Sequence, residues 1–90
     1  MQIRYFATIR PIPGEKTLRW EQSEATLGEL LHNLCARYGH HFRSWVLDGD
    51  DLGQAIIILV NGCDARHLAG INTPRRPDDI IAIFPLVAGG

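Results

Sequence analysis

The chain has 90 residues, 46% of them apolar, which is enough for one hydrophobic core and too little for two. Its formal net charge is −1 and its basic residues form no block, so the composition argues against nucleic-acid binding. No apolar run approaches the length that spans a bilayer, and the first residues lack the pattern of a signal peptide. We therefore expect a cytoplasmic protein that binds neither nucleic acid nor membranes.

Side chains that commonly bind metals or perform catalysis are scattered along the chain rather than grouped. Cys35 and Cys63 form no C-x-x-C pattern, and no Ser/His/Asp set or glycine-rich phosphate loop is present. The four histidines share no metal-binding spacing: His32, His40, His41 and His67. We expect no metal, no bound cofactor and no enzyme that acts on its own.

The first two predicted strands form a hairpin. Residues 3–10 alternate in polarity, which predicts a strand with one buried face. The inward positions are Ile3, Tyr5, Ala7 and Ile9. Phe6 is an aromatic side chain on the face that should meet water. A turn at residues 11–14 then leads to a second alternating segment at residues 16–21.

One amphipathic helix is predicted after the hairpin. Thr26 and Glu29 have the spacing of a capping box, in which each side chain accepts a hydrogen bond from the other residue's backbone N–H. The apolar stripe consists of Leu27, Leu30, Leu31, Leu34 and Tyr38. Gly39 is placed to end the helix in the left-handed αL conformation. Residues 40–53 give only a weak signal, with an exposed turn at residues 48–51.

Three further strands are predicted in the second half of the chain. Residues 55–60 are apolar throughout, as in a strand covered on both faces. The Asn-Gly pair at 61–62 predicts a tight hairpin turn into a short return strand at 63–65. The last strand is predicted at residues 80–84. It carries Ile81 and Ile83 on one face, and Ile80, Ala82 and Phe84 on the other.

This order of elements predicts an α+β domain of two layers, with one main helix packed on one face of a mixed sheet. The other face of the sheet then has no covering layer. If the first and last strands are neighbours, Phe6, Ala82 and Phe84 group together on that bare face. Grouped apolar side chains of this kind usually mark a docking surface, and the alternative is a loop that covers them.

The given sequence closes on Gly89 and Gly90, shortly after an apolar strand. Because glycine has no Cβ, an extended Gly-Gly segment fits a slot that is too narrow for any side chain. A partner enzyme could thereby reach the carboxylate of Gly90. ATP would convert this group to an acyl-adenylate, and a sulfur donor would convert the adenylate to a thiocarboxylate. A frayed end without function is the alternative.

The chain resembles the ubiquitin-like sulfur carriers of β-grasp fold, most closely the small subunit of molybdopterin synthase. The resemblance lies in Phe6-Ala7-Thr8-Ile9-Arg10, in Val60-Asn61-Gly62 and in Phe84-Pro85-Leu86-Val87-Ala88-Gly89-Gly90. It implies a β-grasp domain at residues 1–85 and a flexible tail at 86–90. It implies that Gly90 is adenylated and then carries sulfur, with Gly89 as the penultimate glycine. The partner-binding residues it implies are Phe6, Arg10, Phe84, Pro85, Leu86, Val87 and Ala88.

The resemblance also implies three partners: the large subunit of molybdopterin synthase, an E1-like activating enzyme that uses ATP, and a sulfur donor protein. It makes the chain a subunit that acts with a catalytic partner. Three alternatives remain open. The sulfur could go to thiamine, to tRNA thiolation or to an amino acid. Gly90 could instead form an isopeptide bond with a lysine of a target protein, or the domain could be a binding module that makes no use of Gly90.

Overall fold

The structure is a computed structural model that describes residues 1–12 and 14–86. Two helices pack on one face of a mixed sheet, which confirms the predicted two-layer α+β class. The strands are β1 Gln2–Tyr5, β2 Thr17–Arg19, β3 Leu47–Asp48, β4 Asp51–Leu52, β5 Ile56–Val60, β6 Cys63–Asp64 and β7 Ile80–Pro85. The α-helices are α1 Leu27–Tyr38 and α2 His40–Val46, and short 3-10 helices occur at Ala7–Ile9, Ala65–His67 and Gly70–Asn72.

The main sheet has the strand order β2-β1-β7-β5-β6, and β3 pairs with β4 in a separate two-stranded ladder. The first and last strands lie side by side and run in parallel, with Ile3 opposite Ile81 and Tyr5 opposite Ile83. The other neighbouring strands pair antiparallel. The central parallel pair is therefore flanked by β2 on one side and by the β5–β6 hairpin on the other, as expected for a β-grasp sheet.

The core lies between the main sheet and the helices. Four leucines of α1 are buried in it, in agreement with the predicted stripe: Leu27, Leu30, Leu31 and Leu34. The central strands contribute Ile3, Ile58, Ile81 and Ile83 to the same cluster, each 0–1% exposed. Burying one such side chain contributes about 1.5–3 kcal/mol, so the contact between the two layers is a major source of stability.

The ends of α1 lie where the sequence predicts, with two differences in geometry. The Thr26 hydroxyl accepts a hydrogen bond from the Glu29 N–H at 3.3 Å, as expected. The Glu29 carboxylate accepts from the Ala25 N–H at 2.8 Å, however, and not from Thr26. Gly39 has φ 97° and ψ −169°, which lies outside the predicted αL region. The reason is that Gly39 leads directly into α2, so the chain changes direction there without a loop.

The first strand is shorter than predicted. β1 ends at Tyr5, because Ala7 has φ 54° and leaves the extended conformation. The 3-10 helix that begins at Ala7 still turns Ile9 into the core, where its side chain is fully buried. Ala7 was expected to face inward and is exposed instead. The alternation thus identifies the buried side chains on both sides of this turn but not the turn itself.

The structure contains a second helix that was not predicted and a strand, β5, that is less buried than predicted. The buried side chains of α2 are Phe42 and Val46, and one i, i+4 pair gives too little periodicity to be recognised in a sequence. In β5, Ile57 and Leu59 are only half-buried. The expectation that residues 55–60 are covered on both faces is therefore wrong. Because the residues on its open face are also apolar, the sequence of β5 looks like that of a fully buried strand.

A buried ion pair ties the segment before α1 to the segment before β7. Arg75 Nε lies 3.3 Å from Glu24 Oε1, and both side chains are 4% exposed. The Glu24 carboxylate also accepts hydrogen bonds from Trp20 Nε1 at 2.8 Å and from Asn33 Nδ2 at 2.9 Å. Burial alone would raise the pKa of Glu24, but these hydrogen bonds and the nearby guanidinium outweigh it and hold the pKa below its usual value.

We expect Glu24→Gln to cost about 3 kcal/mol of unfolding free energy at pH 7, because it leaves the guanidinium of Arg75 buried without a counter-charge. The pKa of Glu24 is lower in the folded state, so its contribution is present above the unfolded pKa and is lost as pH falls through the folded pKa. The cost of the substitution should therefore shrink toward pH 3. Urea unfolding across this range measures it, with the exposed Glu21→Gln as control. A cost that is independent of pH would contradict the assignment.

Candidate functional site

Phe6 and Phe84 meet edge to face on the side of the sheet opposite the helices. Their ring centroids are 5.1 Å apart, with an interplanar angle of 67°. The contact follows from the parallel pairing, since the Phe6 N–H donates to the Ile83 carbonyl at 3.1 Å and continues the β1–β7 ladder. Phe6 is 36% exposed. The prediction that the two aromatic rings share an open face of the sheet is confirmed.

The strand register places further side chains beside this aromatic pair. We call the group the uncovered face: Arg4, Phe6, Ile57, Leu59, Ile80, Ala82 and Phe84. Each of these residues is exposed or half-buried. The alternative that a loop covers them does not hold for residues 1–12 and 14–86. An exposed apolar surface of this kind is typical of protein interaction sites.

Arg10 is folded back onto the end of β1. Its Nε donates to the Tyr5 carbonyl at 3.2 Å, and its backbone N–H donates to the Ala7 carbonyl at 3.2 Å. The side chain is half-buried as a result. The guanidinium is thus held against the backbone that carries Phe6. That Arg10 and Phe6 bind a partner stays a prediction.

The last strand extends one residue beyond its predicted end. Pro85 is buried and lies opposite Ile56 of β5. The Leu86 N–H donates to the Ala55 carbonyl at 2.9 Å, while the Leu86 side chain is 47% exposed. The backbone is therefore bonded to the segment before β5 as far as Leu86, and the division into a domain at 1–85 and a tail at 86–90 stays a prediction. Four predicted site residues lie outside the described residues: Val87, Ala88, Gly89 and Gly90.

A side-chain clamp that was not predicted from the sequence holds the other end of β7. Asn61 Nδ2 donates to Asp79 Oδ1 at 2.8 Å, and Asn61 Oδ1 accepts from the Ile80 N–H at 2.8 Å. Asp79 is 3% exposed, and its second oxygen accepts from the Arg76 N–H at 2.7 Å. Asn61 adopts φ 52° as the first residue of the predicted tight turn. The clamp fixes the start of β7 to the β5–β6 turn and so helps to set the register of the uncovered face.

Reactive groups are sparse in the part of the chain that the structure describes. Within residues 1–12 and 14–86, no group of three or more His, Cys, Asp or Glu side chains could hold a metal ion. Cys35 is buried, and burial raises the pKa of its thiol, which keeps the less reactive protonated form. Cys63 is exposed. No described helix has the length and apolar character that crossing a membrane requires.

Comparison with known proteins decides the family. Residues 3–90 match the ThiS family. The chain belongs to this family of ubiquitin-like sulfur carriers. Small archaeal modifier protein 3 of Haloferax volcanii is 34% identical to this ThiS-family chain over 91 residues, and the alignment covers 100% of the chain and 98% of that protein.

Solved structures agree with the family assignment. The small archaeal modifier protein 1 of Methanosarcina acetivorans is 30% identical, with a TM-score of 0.81 and coverage of 99% of this chain and 94% of that one. A chain of the BexX/CysO complex of Amycolatopsis orientalis is 24% identical, with a TM-score of 0.84 and coverage of 99% and 98%, and this likeness concerns the fold alone. The ThiS-family chain is therefore a β-grasp protein, as predicted. The two archaeal relatives are named as modifiers. These matches support the family and do not identify a role in the molybdopterin pathway.

Substitution of Asn61 tests the clamp at the start of β7. We expect Asn61→Ala to lower the unfolding free energy by about 2–3 kcal/mol, because the buried Asp79 carboxylate loses a donor and alanine is strained at positive φ. Asn61→Gly is the matched control, since it loses the same hydrogen bonds without the strain. It should be about 1 kcal/mol more stable than the alanine variant. If urea unfolding finds both variants as stable as the wild type, the clamp contributes nothing.

Proposed function

We propose that this chain carries sulfur as a thiocarboxylate at Gly90 and donates it as the small subunit of molybdopterin synthase. The match to the ThiS family extends to residue 90, which supports Gly90 as the sulfur-bearing residue. The observation that carries the proposal is the position of Phe84. It lies one residue before the end of β7 and on the uncovered face. A partner seated on that face is therefore close to Leu86, from which the last four residues follow.

The proposed chemistry needs no reactive side chain from this protein. In the activating enzyme, the Gly90 carboxylate attacks the α-phosphate of ATP, pyrophosphate leaves, and an acyl-adenylate forms. The terminal sulfur of a persulfide on the donor protein then displaces AMP and forms an acyl disulfide. A thiol attacks the donor's cysteine sulfur in this acyl disulfide, which releases the thiocarboxylate and leaves a disulfide. In the large subunit of molybdopterin synthase, the thiocarboxylate attacks a cyclic pterin. The attack displaces an oxygen substituent from a pterin carbon and gives a thioester. Water then cleaves the acyl–sulfur bond, which leaves the sulfur on the pterin and regenerates the carboxylate of Gly90.

The length of the chain end fits a mechanism in which this chain carries the sulfur and its partners supply the active sites. The five residues from Leu86 to Gly90 span at most about 17 Å when extended. Gly89 adds no side chain to the segment that enters the partner's active site. We propose that the activating enzyme and the large subunit use the uncovered face in turn, in the cytoplasm. Their proposed contacts are Phe6, Arg10, Phe84, Pro85, Leu86, Val87 and Ala88.

Intact mass measures the carrier chemistry directly. Incubation with ATP, the activating enzyme of the same genome and a sulfur source should add about 16 Da, because one oxygen is replaced by sulfur. Deletion of Gly90 should abolish the gain, and Lys16→Arg should retain it. An activating enzyme that modifies another carrier but leaves this mass unchanged would argue against the function. Incorporation of sulfur into a cyclic pterin by the large subunit then tests the recipient.

Protein modification is a second candidate, and the name of the 34% identical relative, a small archaeal modifier protein, favours it. In this case the activated carboxyl of Gly90 forms an amide with a lysine amine of a target, and AMP leaves. Lys16 is the only lysine of the chain, so Lys16→Arg separates adducts on other proteins from links between copies of this one. Adducts in cells that require Gly90 would support modification. A thiocarboxylate without such adducts would support sulfur transfer alone.

A further inference from the structure

Among the described residues that form the uncovered face, Arg4 on β1 is the one cation. Strand pairing places it opposite Thr17 of β2 and opposite Ala82 of β7, two residues before Phe6 on the same side of the sheet. Its side chain is exposed, and its guanidinium donates to the Gln2 amide oxygen at 3.2 Å. Within residues 1–12 and 14–86, no carboxylate oxygen lies within 4.0 Å of this guanidinium.

Arg19 provides a comparison on the same side of the sheet. It lies opposite Gln2 on the edge strand β2, and its Nε is 3.1 Å from Glu21 Oε1. Its charge is therefore compensated within the chain, at the margin of the sheet. Arg4 differs from Arg19, because the side-chain partner that the described residues offer it, the Gln2 amide, is neutral.

A partner that covers the aromatic pair also covers Arg4. Two residues along a strand are about 6.6 Å apart, whereas a standard interface buries about 800 Å² on each partner, a patch roughly 30 Å across. Docking on Phe6 and Phe84 thus removes water from the guanidinium of Arg4. A charge that loses its water without gaining an opposite charge weakens binding. The complementary surface of a partner is therefore apolar and carries an acidic group opposite Arg4.

We propose that the activating enzyme presents a carboxylate to Arg4 when it docks on the uncovered face, and that this ion pair selects the partner. The inference rests on the proposed function and specifies the surface that the activating enzyme must have. The apolar side chains supply contact area, while the ion pair fixes the orientation in which the enzyme approaches Leu86. Arg4 is a binding residue that takes no part in the adenylation chemistry.

The test compares four variants as substrates of the activating enzyme encoded in the same genome, with pyrophosphate release as the readout. Arg4→Gln should raise the KM for the carrier about tenfold and Arg4→Glu about 100-fold, with kcat nearly unchanged. Arg4→Lys keeps the charge and should lie within about threefold of the wild type. Arg19→Gln changes the net charge equally and should have less than a twofold effect. Circular dichroism establishes that each variant is folded.

Two further measurements complete the experiment: the salt dependence of KM and the KM of the Phe6→Ala variant. The difference between wild type and Arg4→Gln should decrease from low salt to 0.5 M salt, because ions screen the pair. If wild type and the Phe6→Ala variant differ but the Arg4 variants behave like Arg19→Gln, the ion pair is refuted and docking on the face stands. If neither Phe6 nor Arg4 affects KM, the face is not the binding surface and the inference falls. If the wild type is not adenylated at all, the proposed function fails together with the inference.

Discussion

At the centre of the sheet the first and last strands run in parallel, with Ile3 opposite Ile81. Both side chains are buried beneath the helices, so the pairing belongs to the core and is as stable as the core itself. On the opposite side of the same two strands, the pairing brings Phe6 against Phe84. The location of the uncovered face and the position of the end of β7 are therefore consequences of one contact between distant parts of the sequence.

Both ends of β7 are held in place. Asn61 and Asp79 fix its start, and the hydrogen bond from Leu86 to Ala55 holds the backbone beyond its end. In the proposed function, a partner that binds the uncovered face meets the end of β7 in a defined position, without an added ordering cost for the body of the domain. In the proposed function the two parts have separate tasks: the uncovered face provides recognition, and the terminal carboxylate provides the chemistry.

The sequence is sufficient to predict the class of the fold and the aromatic pair, since strand side chains alternate between faces whatever their neighbours are. Phe6 is recognisable because it breaks the polar pattern of its face. The turn at Ala7 is not predictable from alternation, because it depends on a positive φ that tertiary packing stabilises. Asn61 is recognisable as a turn residue, but its clamp depends on Asp79, 18 positions away. Contacts of this kind require knowledge of which strands are neighbours.

The central claim is that the helix-free side of the sheet, and not the helical layer, binds the enzyme that activates the chain end. Side-chain NMR spectra recorded during titration with the activating enzyme test it most directly. We predict that the signals of Ile57, Leu59 and Ala82 methyl groups and of the Phe6 and Phe84 rings shift or broaden first. Shifts confined to α1 and α2, with these side chains unchanged, would contradict the account.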